Sequence, residues 1–266
     1  MDHEHSRPLF AHSHAQGQGM SEGAALSACA SLNGPLKAVA LRPEWLAQLQ
    51  ALKACGPLAA LTCNDHVVLE KTGVYRQVSA SGPVGMALGD HIDLRLFFDR
   101  WHAGFAVTEL ANDPAKPPSR SLQFYNAHGR AVHKIFTREA TDLAAFDAVV
   151  SRFAQPSAGY VFGKAPTPEA ARPDADIDAQ GLREAWAAMQ DTHEFFGLTK
   201  KFAVERQQSF RLVEGQFAWR AAPQAVARLL DEAAVDGLPI MVFVDSGGCI
   251  QIHTGPVRNI QPLDTP

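Results

Sequence analysis

From Pro43 onward the apolar positions fall into short, ordered runs. In PEWLAQLQALKACGP, Trp45, Leu46, Leu49 and Leu52 share one helical face, and Gly56 with Pro57 stops it. The runs LAALTC, HVVLEK, YRQVSA, IDLRLFF, GFAVTEL, SLQFY and AVHKIF follow, with turn residues between them, and predict a strand-rich block. Within it FYNAHGRAV reads as a hairpin turning at Asn126 to Gly129. TDLAAFDAVVSRF closes the block: Leu143, Phe146, Val150 and Phe153 make a helical stripe behind a cap at Thr141 or Asp142.

Residues 155–181 carry Pro156, Pro166, Pro168 and Pro173, which rules out a long helix or a central strand, so they predict a linker. Its apolar run Tyr160–Phe162 is a candidate to dock on a neighbouring block. Beyond the linker one helical stripe is expected through Trp186, Met189, His193 and Phe196, at i, i+3, i+7 and i+10. A second helix is expected near PQAVARLLDEAA. Then comes GLPIMVFVDSGGCIQIHTGPVRNI.

That last stretch repeats an earlier one. Set back by 182 positions it aligns Pro239 with Pro57, Ile250 with Val68, Thr254 with Thr72, Gly255 with Gly73, Arg258 with Arg76 and Ile260 with Val78. The order of helix, proline stop, apolar strand, polar turn and alternating strand also agrees, so the chain carries a diverged internal duplication. The first copy runs on for about 75 residues after its Thr-Gly turn, which predicts that the second copy lacks most of its sheet. The expected fold is α+β, a tandem structural repeat in which each repeat is a large antiparallel β-sheet with flanking helices and the second repeat is incomplete. The expected divisions are a disordered histidine-bearing tail over 1–22, a first repeat over 23–154, a linker over 155–181 and a truncated second repeat over 182–266.

Composition narrows the function classes. Hydrophobic residues at 46% and charged residues at 20% are ordinary globular values, and a net charge of −4 gives no footprint for nucleic acid. No window approaches a membrane span, and the N-terminus has no apolar signal core, which points to the cytoplasm. Cys29, Cys55, Cys63 and Cys249 are scattered, without the spacing of a zinc site or a disulfide framework. His3, His5, His12 and His14 sit in the polar tail.

Candidate chemistry lies in two places. In HIDLRLFFDRW the apolar face Ile92, Leu94, Leu96 and Phe98 leaves Asp93, Arg95 and Phe97 on the opposite face. Arg95 is either a solvent-facing cation or a planar fork for an anionic aromatic ligand, with Phe97 as stacking area. In DTHEFFGLTKKFAVERQQ, His193 is either a buried core imidazole or a ligand, with Lys200, Lys201 and Arg206 close behind it. His102, His133 and His253 are expected to make local hydrogen bonds or face solvent.

The segments DTHEFFGLTKKFAVER, VGMALGDHIDLRLFFDRWHAGFAV, SLQFYNAHGRAVHKIF and PIMVFVDSGGCIQIHTGPV together resemble the bacterial HemS/HmuS/ChuS family of cytoplasmic haem-trafficking and hemin-degrading proteins. The resemblance covers nearly the whole chain from about residue 35 except the linker. It implies haem b in a cleft between the repeats, with His193 as the axial iron ligand and Arg95 approaching the opposite haem face. It places a further haem-contacting arginine at Arg206, thirteen residues after His193. Phe97 and Phe196 complete the candidate binding set. Family members continue past this C-terminus, so the resemblance also implies a pocket wall outside this chain. The implied function is receipt of imported haem for delivery to, or participation in, haem degradation. The implied partners are a haem importer, a haem oxygenase or a reductase. Haem-oxygenase-like turnover would need an external electron donor, since no GxGxxG opens a helix after a strand. The rival reading is a non-haem interaction module that forms homo-oligomers through the exposed edge of the truncated repeat.

Overall fold

The computed structural model describes residues 19–29, 36–110, 113, 115–155, 159–167, 170–191 and 194–261. The tail histidines and His193 lie outside the described residues. The chain divides into two compact units. One runs to Ala165 and takes in Pro239–Pro256, and the other holds Pro166–Leu238 together with the residues after Pro256.

The first unit opens with α1 (Glu22–Cys29), β1 (Leu36–Ala40) and α2 (Trp45–Ala51). Next come β2 (Leu58–Cys63), β3 (Val68–Gly73), β4 (Gln77–Ser81), β5 (Val84–Leu88), β6 (Asp93–Phe97) and β7 (Ala103–Glu109). β8 (Ser119–Tyr125), β9 (Ala131–Thr137) and α3 (Leu143–Phe153) follow. The second unit contributes α4 (Ala179–Ala187), α5 (Glu194–Lys201), α6 (Arg206–Leu212) and α7 (Ala225–Val235), after which β10 (Pro239–Asp245) and β11 (Cys249–Pro256) return to the first. Two antiparallel sheets result, six-stranded in the order β1-β7-β8-β9-β2-β3 and five-stranded in the order β10-β11-β6-β5-β4. The α+β class expected from the sequence is what is found.

Local chemistry explains the boundaries. Asp142 caps α3 by accepting from the Ala145 amide at 3.0 Å. Thr141, the other candidate cap, instead accepts from the Arg138 amide and donates to the Pro57 carbonyl. After α2 a short tight turn leads to Gly56, whose φ of 72° a side chain would resist. The β8–β9 turn falls where the sequence puts it, with Asn126 Oδ1 accepting from the amides of His128 and Arg130.

One core cluster draws on both sheets, with Leu58, Leu122 and Ile135 from the six-stranded sheet, Leu94, Leu96 and Cys249 from the five-stranded one, and Trp45, Leu49, Phe146 and Phe153 from α2 and α3. Trp101 packs 4.5 Å from the Phe124 ring and donates its Nε1–H to the Gly248 carbonyl at 2.9 Å. Buried in this cluster's midst, His133 is hydrogen-bonded at both ring nitrogens, to Thr62 Oγ1 at 2.9 Å and Tyr75 Oη at 2.8 Å. Burial drives its pKa down to about 3. A second cluster covers part of the six-stranded sheet with Leu26, Phe105 and Tyr125, and the linker run docks there: Tyr160 donates to the Leu41 carbonyl at 2.5 Å.

The duplication is visible in hydrogen-bond register. β2 and β3 pair Leu58 with Gly73 through Cys63 with Val68, and β10 and β11 pair Ile240 with Gly255 through Asp245 with Ile250. Each of these six pairs in the second hairpin is the first hairpin's pair moved on by 182 residues, the separation that also divides the touching Lys71 and His253. The second hairpin does not stay with the helices that precede it. β11 pairs with β6, Cys249 opposite Leu96 and Ile250 opposite Arg95, so it completes a sheet begun by the first copy.

The helical unit corrects one expectation. A continuous helix from Trp186 to Phe196 is not present: α4 ends at Ala187, and α5 starts at Glu194. Nine residues of unbroken helix would separate positions 186 and 195 by about 13.5 Å along the axis. Trp186 and Phe195 instead meet edge to face at 4.9 Å, and Trp186 also stacks on Phe217 at 6.0 Å, so the chain folds back to build an aromatic core. Trp186 and Met189 also pack against the buried cluster of Ile177, Leu182, Leu198, Val204 and Val213, whereas Phe196 is 76% exposed.

Two stability outcomes follow from this packing. Leu94→Ala empties a fully buried site and is expected to lower the unfolding free energy by about 2–5 kcal/mol, whereas Arg95→Ala beside it should change it by less than about 1 kcal/mol. Urea unfolding of both variants checks this, and equal losses would contradict the placement of Arg95 off the core face. His133 has a folded pKa depressed from 6.5 to about 3, so below about pH 6.5 the unfolded chain takes up a proton that the folded chain refuses. Stability should therefore fall as the pH drops from 6.5 toward 3, and His133→Gln should flatten that part of the urea-midpoint profile. A profile unchanged by the substitution would show that His133 does not set the slope.

Candidate functional site

Arg95 stands on the outward face of the five-stranded sheet because its neighbours Leu94 and Leu96 are taken by the core. Cross-strand pairing sets it in one row running Asp245, Ile250, Arg95, Met86 and Ser79 across all five strands. Adjacent rows on the same face bring Val84 opposite Phe97 and Phe243 opposite Ile252. The result is an apolar surface open to solvent: Met86 is 40% exposed, Val84 46%, Met241 57% and Phe243 58%. On this face Arg95 is the one cation carried by the strands themselves.

Arg95 on the face and Arg100 in the turn after β6 each have partners. Arg95 Nη1 pairs with Asp93 Oδ1 and also reaches the Leu94 carbonyl at 3.4 Å. Arg100 lies 5.1 Å from the centre of the Phe97 ring and donates to the Gly247 carbonyl at 2.7 Å.

The other candidates belong to the second unit. Arg206 stands 5.4 Å over the Phe195 ring and 5.5 Å over that of Phe210, and these two rings are themselves stacked at 5.6 Å. A capping box of Glu205 and Gln208 fixes the start of α6, so Arg206 projects from a defined first turn. Phe196, on α5, leaves most of its surface to solvent. A groove of 640 Å³ lies nearby along α6, lined by Phe210, Phe217, Trp219, Arg211, Arg220 and Glu214. Its arginines are engaged, Arg211 with Asp174 at 2.8 Å and Arg220 with Glu214 at 3.1 Å.

Three further histidines and two of the thiols are engaged within the fold. His133 spends both ring nitrogens inside the core. His102 Nε2 bonds the Val161 carbonyl at 2.9 Å, and His253 Nδ1 accepts from Lys71 Nζ at 2.6 Å. Burial pushes the Cys249 thiol up to about 12 and the Cys55 thiol up to about 11, far from nucleophilic readiness. Among the described residues no group of three or more metal-ligating side chains converges.

Sequence reasoning placed Arg95 and Phe97 on one face, and the sheet brings them there. It missed Met86, Met241 and Phe243. The available signal was PIMVFVD, apolar at five successive positions, which gives a strand with something to cover on both faces.

The fold is a duplicated α+β architecture whose returning hairpin extends an open apolar sheet face around an arginine. Residues 19–153 and 203–265 match the family described as the haemin-degrading HemS/ChuX domain, and the chain belongs to that family. It is 35% identical over 224 residues to the hemin transport protein HmuS of Yersinia pestis, covering 84% of this chain and 64% of that protein's length. The holo form of PhuS, a heme-binding protein from Pseudomonas aeruginosa, superposes with a TM-score of 0.88 at 43% identity, over 96% of this chain and 73% of its own. The heme-degrading enzyme ChuS of Escherichia coli O157:H7 superposes with a TM-score of 0.83 at 29% identity, over 96% of this chain and 72% of its own.

Arg206→Ala is expected to cost the second unit no more than about 1 kcal/mol, since an exposed cation over a ring contributes about that much. Urea-dependent hydrogen exchange at the amides of α4, α5 and α6 measures it. A loss several times larger would make Arg206 a structural keystone of the aromatic cluster.

Proposed function

We propose that this chain binds haem b and serves bacterial haem-iron acquisition in the cytoplasm, receiving imported haem for delivery to, or participation in, its degradation. The observation that carries the reading is the apolar outward face of the five-stranded sheet with Arg95 at its centre. A porphyrin is a flat apolar body with anionic edges, so covering such a face removes apolar surface from water while the arginine answers the charge. The relatives named as hemin transport and heme-binding proteins support the ligand, and the family resemblance implies His193 as the axial ligand, a role a neutral imidazole can fill. When bound, haem supplies an iron centre able to take part in oxygen and electron-transfer chemistry. The chain's own residues orient and shield it: Phe97 and Phe196 offer ring area, and Arg206 a second cation. Partners proposed on this reading are a haem importer and a haem oxygenase or reductase. Among the described residues no helix is long and apolar enough to cross a membrane.

Hemin titration tests the reading. The wild-type chain should take up about one equivalent with a sharp Soret band; His193→Ala should shift or broaden that band and speed haem transfer to apomyoglobin by about tenfold or more, a factor worth about 1.4 kcal/mol. Arg95→Ala should change the ferric spectrum without unfolding the chain. A spectrum and transfer rate identical in His193→Ala would remove His193 from the site.

A second reading, a non-haem module that self-associates through the exposed edge of the truncated repeat, has one specific observation behind it. β10, from the second copy, ends the five-stranded sheet, and its Met241 and Phe243 are 57% and 58% exposed. A chain that stays monomeric at micromolar concentration and binds hemin would discard this reading.

A further inference from the structure

We propose that Asp93 is a positioning residue that parks Arg95, an internal competitor that a bound ligand's anionic group must displace. The inference rests on the haem reading of the outward sheet face and adds to it the state of the arginine before the ligand arrives. By strand alternation, the charged residues on that face among the described strands are Asp93, Arg95 and Asp245. Asp245 is occupied in its own turn, accepting from the Gly247 amide at 2.6 Å. Asp93 sits two residues before Arg95 on the same strand and face, and its carboxylate holds the guanidinium at Nη1. The same nitrogen reaches the Leu94 carbonyl, so both contacts draw the arginine back along its own strand.

Neither contact lies in the buried core. Asp93 and Arg95 side chains are each about a third exposed, at 35% and 37%, and an ion pair in that setting is weak and readily exchanged. A guanidinium has five N–H donors, and a planar anion could occupy a fork that Asp93 engages through one nitrogen only. The pair thus neutralises an otherwise isolated cation on an apolar face and keeps it from indiscriminate anions. It also lowers affinity for the proper ligand by whatever the exchange costs.

The test uses the full chain and two readouts. In the absence of haem, phenylglyoxal modification of Arg95, mapped by peptide mass with Arg100 as the internal reference, should be about two- to fivefold faster in Asp93→Asn than in the wild type, the range set by an exposed ion pair. Equal rates would overturn the parking role whether or not the chain binds haem. With hemin, Asp93→Asn should slow transfer to apomyoglobin by a similar factor, and the effect should vanish when Arg95→Ala is also present. Faster transfer in Asp93→Asn, or the same change with and without Arg95, would overturn the proposal. If the wild type takes up no hemin the haem reading fails, and the phenylglyoxal comparison still decides the Asp93 role. Hemin dimethyl ester distinguishes the source of the competing anion: an Asp93→Asn effect kept with the ester assigns it to an anion on the iron, and one lost with the ester assigns it to the porphyrin carboxylates.

Discussion

The pairing of β11 with β6 is the contact on which the rest of the first unit depends. Without it the second hairpin has no sheet, Trp101 loses its acceptor, and the outward face around Arg95 loses the side contributed by Met241, Phe243, Ile250 and Ile252. The turn before β11 shows how tightly that docking is specified. The Gly248 carbonyl accepts from the Phe97 amide at 3.0 Å as well as from Trp101, Ser246 Oγ donates to the Val132 carbonyl at 2.7 Å, and Gln251 Nε2 donates to the Ala60 carbonyl at 3.0 Å. A methyl group at Gly248 would stand 2.7 Å from a Val132 methyl, so only glycine admits this approach.

Much of this was legible in the sequence, for reasons that can be named. Alternation over Ile92 to Phe98 reports which side of a strand is buried, and it put Leu94 and Leu96 inside and Arg95 outside. The repeat alignment reports hairpin register because register follows from turn position and apolar spacing, which both copies share. What local patterns do not report is the identity of a strand's neighbour. Nothing in PIMVFVD says that its hairpin leaves the preceding helices for a sheet begun about 150 residues earlier, since strand pairing is decided by the assembled core. The broken helix has the same origin: the spacing of Trp186, Met189, His193 and Phe196 suits one stripe, but the assembled core sets Phe195 against Trp186 and Phe210. Of the candidate site, Arg95 and Phe97 were readable, and Met86, Met241 and Phe243 needed the sheet.

The polar interior has a role separate from the outward face. Thr62, Tyr75, His133 and Cys249 come from β2, the segment after β3, β9 and β11, so a single small network ties both hairpins to the body of the first sheet. Fully satisfied, such a network selects one arrangement among the many an apolar core would tolerate. Here it selects the docking that shapes the open face.

The contact between Lys71 and His253 carries a historical consequence. These are equivalent positions of the two copies, so they meet where the duplicated sequence meets itself. Immediately after duplication the same residue stood on both sides. Two lysines at that distance would repel, and an ammonium needs an acceptor that another ammonium cannot offer. Burial first, and the neighbouring ammonium second, hold the His253 ring in its neutral, accepting form. A lysine in both copies could not make this contact, so the present pair depends on the two halves differing here.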